Sequence, residues 1–195
     1  MKTFGALAVT SLLLSLAPAP YSTAFAAQQN KPQLEGKSSA NRGRTTALIA
    51  DEVRHQLVML PNYGVFDWIE GTVAPDDSVT LRGFVAAPTT KSDAEARVKK
   101  LESVAKVVNQ IEVLPLSPND DQIRLATYRA IFNYNGPLFR YATRAVPPIH
   151  IIVKDGHVTL KGVVANPMDS QLAYMAARGV PGVFDVKNEL EVEKP

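Results

Sequence analysis

Few residues in this chain have types and spacing suited to chemistry. Its three histidines, His55, His150 and His157, lie far apart in sequence. His150 and His157 flank a turn signal and could approach across it, but a metal centre needs a third ligand, and none is spaced to join them. The adjacent carboxylates Asp76-Asp77 and Asp120-Asp121 fall among turn residues, where such pairs form turns and helix caps rather than an acid/base dyad. There is no cysteine. That excludes disulfides, thiol nucleophiles, cysteine-based metal sites and a lipid-anchored N-terminal cysteine. No nucleophile elbow, phosphate loop or dinucleotide fingerprint occurs. The expectation is a protein with no catalytic residues, no metal and no cofactor.

One stretch has a different chemistry. Arg124, Arg129, Arg140 and Arg144 lie in a segment without Asp or Glu, interleaved with Tyr128, Phe132, Tyr134, Leu138, Phe139 and Tyr141. Arginine pairs with phosphate, and tyrosine or phenylalanine settles at a membrane interface. Arg124, Arg129, Phe139, Arg140, Tyr141 and Arg144 are therefore the candidate residues for contact with an anionic phospholipid surface. The alternative is a core-facing helix with a solvated basic side, since Tyr128 and Phe132 have core spacing. The formal charge of the whole chain is only +2, too small to indicate a nucleic-acid binder.

The elements that must carry these residues occur twice. At a constant offset of 79 residues, VTLRGFVAAP (79–88) lies over VTLKGVVANP (158–167), and SVAKVVNQIEV (103–113) over GVFDVKNELEV (182–192). Thirteen of 35 positions are identical, where ordinary composition gives about two or three. Ahead of each copy the match is looser and shifted by four residues. In the first unit, Thr45/Thr46 are positioned to cap a helix with a stripe at Ile49, Val53, Leu57 and Leu60. Strands are expected at 68–73 and 79–85, a second helix with Ala94, Val98 and Leu101 on one face, and a last strand at 106–113. The second unit repeats them, with a tight hairpin at Asp155-Gly156, Leu172, Ala173, Ala176 and Val180 on its second helix, and a last strand at 183–192.

The domain boundaries follow. A charged start, an apolar run of about 13 residues and Ala24-Phe25-Ala26 make residues 1–26 an expected cleaved signal peptide, too short to span a membrane. Residues 27–43 read as a flexible tether, 44–115 as the first unit, 116–118 as a linker and 119–195 as the second unit. Removing the signal leaves 169 residues. The mature protein is expected to be exported, soluble in the periplasm and peripheral to the membrane.

The order αββαβ, with V-T-L-x-G on the second strand and G-V-x-x-V-x-N-x-L-x-V at the end, resembles the BON domain, named for bacterial osmotic-shock and nodulation proteins. The second unit fits it closely, through Asp155-Gly156, Val158-Thr159-Leu160-Lys161-Gly162 and Gly182-Val183 to Val192. In the first, Ser103 replaces the terminal glycine and Pro75-Asp76-Asp77 the compact turn. The resemblance implies an α+β fold of two tandem small domains, each a three-stranded sheet packed by two helices. It also implies a cell-envelope, osmotic-stress type of protein that binds phospholipid or envelope proteins. Packing accounts for the motif residues themselves: mid-strand Gly83 and Gly162 point to a helix approaching closely or a bulge, and Asn109 and Asn188 to bonds with neighbouring backbone. A protein-binding adaptor, joining partners through an exposed sheet edge, is the alternative to the lipid-binding reading.

Overall fold

Residues 33–194 are described in the structure, a computed structural model, with side chains from residue 45 onward. The expected signal segment, and the tether as far as residue 32, lie outside the described residues. The first unit runs α1 (Gln33–Val58), β1 (Trp68–Val73), β2 (Ser78–Val85), α2 (Pro88–Val98) and β3 (Lys106–Val113). The second runs α3 (Pro118–Ile131), α4 (Phe139–Ala142), β4 (Ile149–Lys154), β5 (His157–Val164), α5 (Pro167–Arg178) and β6 (Asp185–Val192). The fold is α+β with two tandem domains, as the repeat implies.

Each sheet has the same topology. The first two strands form an antiparallel hairpin, and the helix after the second strand carries the chain back so that the third pairs parallel to it. Alternation then decides the packing. Val79, Leu81 and Val85 point beneath the helices to meet Ile49, Val53, Leu57, Ala94 and Val98. In the second unit Val158, Leu160 and Val164 do the same against Ile123, Ile131, Ala173 and Ala177. These are two separate cores, one per unit.

Several local expectations change. Thr45/Thr46 do not cap α1, which is already helical at Gln33. Residues 33–43 contain no proline, and extending a helix already nucleated at 45–58 needs only propagation, so polarity alone did not mark a tether. At the linker, α3 starts at Pro118, and the Ser117 hydroxyl accepts from the Asp120 N–H at 3.2 Å as its cap. Gly83 and Gly162, at φ of 128° and 118°, make room for neither a helix nor a side chain. A Cβ on either would lie 1.9 Å from a backbone carbonyl, that of Trp68 at the start of β1 or of Pro148 just ahead of β4. The Asp155-Gly156 turn has positive φ at both residues, 52° and 77°, as a two-residue hairpin of this kind requires.

The two units are docked. The strap ahead of β1, residues 63–67, lies along the free edge of β4, where the Ile151 N–H donates to the Val65 carbonyl at 2.8 Å. Val65 and Phe66 pack onto the second core, with Phe66 6.2 Å from the Tyr128 ring, edge to face. All residues of β4 from Ile149 to Val153 are buried. One face of this strand meets its own core. The other turns towards the first unit, where His150 lies 5.5 Å from the Tyr63 ring and 5.1 Å from Trp68. Two lysines of the second unit also cross the seam: Lys161 bonds Glu70 at 3.3 Å and lies over the Trp68 ring, and Lys154 on β4 pairs with Glu112 on β3.

Candidate functional site

The six candidate residues divide into a buried and an exposed set. Arg124, on the first turns of α3, is only 6% exposed. Its guanidinium pairs with Asp121 and donates to the Val153 carbonyl at 2.9 Å. Antiparallel alternation points the Ile151 N–H and the Val153 carbonyl outward from β4. Val65 satisfies one and Arg124 the other, so this arginine closes a sheet edge and faces no external surface. Tyr141 is 5% exposed. Its hydroxyl donates to Asp169 at 2.6 Å and accepts from the Ala165 N–H at 2.9 Å, tying α4 to the start of α5. Both residues thus fall outside the candidate surface. Their types fitted it, but their partners lie 29 and 28 residues away.

Arg129, Arg140 and Arg144 are exposed, and Phe139 is half-buried. Arg140 reaches back to the buried Asp169 and lies 5.0 Å from the Tyr141 ring centre. The Tyr141 hydroxyl and the Asp169 charge hold its pKa above the ordinary value. The guanidinium groups of Arg129 and Arg144 enter no hydrogen bond or ion pair among the described residues. Phe139 stacks edge to face on Tyr134, 5.0 Å away, and Tyr134 is 79% exposed. The second unit therefore carries an exposed Tyr134 stacked on a half-buried Phe139, with three exposed arginines, between the end of α3 and the loop after α4. Tyr134 belongs with them, and its place in the basic-aromatic stretch was the signal for it. Asp169 was missed. Its signal is the Asn166-x-x-Asp169 spacing, in which the Asn166 side chain accepts from the Asp169 N–H at 2.9 Å.

The remaining polar candidates take structural places. Asp120 is buried and accepts from the Asp155 and Gly156 N–H groups, each at 2.9 Å, so it holds the hairpin turn. Asp76 accepts from the Ser78 N–H at 3.2 Å and hydroxyl at 2.7 Å in the first turn. His150 lies in the seam, whereas His157 faces Phe184 at 6.0 Å, so the hairpin does not bring the two together. Among the described residues no three or more His, Asp or Glu stand close enough to hold a metal. Asn109 donates to the Lys91 carbonyl at 3.1 Å and Asn188 to the Ser170 carbonyl at 3.3 Å, which pins the last strand to the second helix in each copy. Among the described residues no helix is long and apolar enough to cross a membrane.

Three comparisons place the chain among known proteins. The family model for the BON domain matches residues 45–115 and 120–194. No curated protein matches. Among solved structures, the chain is similar to the C-terminal domain of CdsD, the structural protein of the type III secretion system of Chlamydia trachomatis. The identity is 14%, covering 74% of this chain and 96% of that one, with a TM-score of 0.27. A second CdsD structure gives 14%, 76%, 94% and 0.29. Likeness that distant carries nothing about partners. With nearly all of residues 45–194 matched in two copies, the chain belongs to the BON domain family.

Proposed function

We propose that this protein is a non-catalytic scaffold of the cell envelope, exported to the periplasm, whose second BON domain rests on anionic phospholipid. The contact is made through Arg129, Tyr134, Phe139, Arg140 and Arg144. The observation that carries this reading is the imbalance between the copies. The second has exposed arginines beside an exposed Tyr134 that stacks on Phe139, whereas the matching part of the first exposes Asp51, Glu52 and Glu70 around its one arginine, Arg54. Each basic group near an anionic surface contributes about 1 kcal/mol. Three of them, one already facing Asp169, give weak, salt-sensitive and reversible attachment. Reversing two charges should reduce partitioning at least about tenfold.

The test is flotation of the full chain with phosphatidylglycerol-containing vesicles at low salt. Binding lost in Arg129→Glu/Arg144→Glu supports the reading; an unbound native chain refutes it. A second reading, a protein-binding adaptor, draws on the outer edge of β1. There alternation points the Gly71 N–H outward, with no bond to it among the described residues. Co-purification of an envelope protein, insensitive to those reversals, would favour it.

A further inference from the structure

His150 has a position that the lipid-binding reading does not use. It is 5% exposed and sits on β4 where the two domains meet, between the Tyr63 and Trp68 rings of the first domain. Its Nδ1 lies 3.2 Å from the Gly64 carbonyl, one residue before the Val65 carbonyl that closes the β4 edge. A neutral imidazole donating to that carbonyl holds the strap at the point where the strap pairs with the strand. A second proton would place a positive charge at a site only 5% exposed, where no carboxylate bonds the ring among the described residues.

We propose that this seam is an acid-released clasp: protonation of His150 drives the 63–67 strap off the β4 edge and lets the two BON domains separate. Separation would leave Ile151 as an open strand edge, a pairing surface hidden while the clasp holds. This inference is independent of lipid contact.

Burial lowers the affinity of the docked imidazole for protons below its ordinary 6.5, and the backbone of Asp67 and Gly64 only partly offsets this. Protons therefore favour the open form. Docking is at full strength above about pH 6.5 and weakens below it, tenfold for each pH unit until the docked imidazole itself titrates.

The other charged and titratable groups of the seam are Tyr63 and Asp67 on the strap, Glu70 on β1, Lys161 on β5 and, farther along β4, Lys154 paired with Glu112 on β3, which holds the Lys154 ammonium on. Tyr63, Asp67 and Lys161 do not reproduce this response. Burial pushes the Tyr63 phenol up to about 12. Burial also raises the Asp67 carboxyl, against the N–H bonds from Ala86 and Gly64 and the charge of Arg124. Its response to acid is thus opposite in sign. For Lys161 desolvation works against the charge, but Glu189 and Glu70 outweigh it and hold the ammonium on.

The absence of cysteine makes the test direct. The full chain carrying Leu48→Cys and Met175→Cys, both at exposed positions on different domains, is spin-labelled, and the inter-label distance distribution is measured between about pH 7.5 and pH 5. A single narrow population at the higher pH should give way to a broad one at the lower. His150→Gln, whose amide can still donate to the Gly64 carbonyl but does not titrate, should stay narrow throughout. A native chain unchanged with pH, or a His150→Gln chain that opens with acid as the native one does, overturns the proposal. If His150→Gln is open at every pH, the imidazole of the native chain is titrated by NMR. A midpoint below 6.5 that coincides with the distance change supports the clasp; any other midpoint overturns it.

Discussion

The two copies keep one internal skeleton and differ at their first strands. Gly71 in β1 and Ile151 in β4 hold equivalent positions, opposite Leu81 and Leu160. At Ile151 the outward N–H is taken by Val65 of the other copy, and two residues on the outward carbonyl of Val153 is taken by Arg124. At Gly71 nothing among the described residues pairs with the N–H. Duplication made two like edges, and docking closed one. A tandem repeat need not be symmetrical, because the strap of the first copy becomes part of the second.

A second difference lies at the junction between the second strand and the second helix. The Ala86 N–H donates to Asp67 at 2.8 Å, whereas its counterpart, the Ala165 N–H, donates to the Tyr141 hydroxyl. The same backbone need is met by a carboxylate from the strap in one copy and by a phenol from α4 in the other. In the second copy α4 thus supplies, through the inward-facing Tyr141, what the strap supplies in the first.

The largest expected effect on this comparison is at the glycines. Gly162→Ala should unfold the second domain, and Gly83→Ala the first, each costing at least about 3 kcal/mol because a backbone carbonyl cannot yield to the Cβ. Urea melts followed by amide signals from each domain would show which one fails. At the junctions, Asp67→Ala strands two N–H donors, those of Gly64 and Ala86, and should cost about 2–4 kcal/mol. Tyr141→Phe strands chiefly the Ala165 N–H and should cost about 1–3 kcal/mol, confined to the second domain. The smallest pair is the asparagines. Asn109→Ala should cost about 1–2 kcal/mol and Asn188→Ala about half as much, since Asn188 is exposed and its backbone bonds are longer. Equal losses in the same melts would mean that burial is not what separates them.

How far the sequence discloses this depends on where each partner lies. Both hairpins, the helix stripes and the two cores follow from alternation and the 79-residue repeat, because those signals are local or duplicated. The seam does not, although β4 carried a trace of it: Ile151 and Ile152 are adjacent apolar residues, and only a strand covered on both faces buries both. The start of α1 was hidden because polar residues 33–43 have the same composition whether helical or free. At the candidate surface, side-chain type was legible and direction was not. Arg124 and Tyr141 match Arg129 and Phe139 in chemistry, and only contacts from distant elements turn the first pair inward.

Amide hydrogen exchange on the intact chain at neutral pH addresses the closed edge without any substitution. The account predicts strong protection of the Ile151 amide and rapid exchange at Gly71, its equivalent in the other copy. Equal protection at both positions, or an Ile151 amide that exchanges as fast as Gly71, would contradict it.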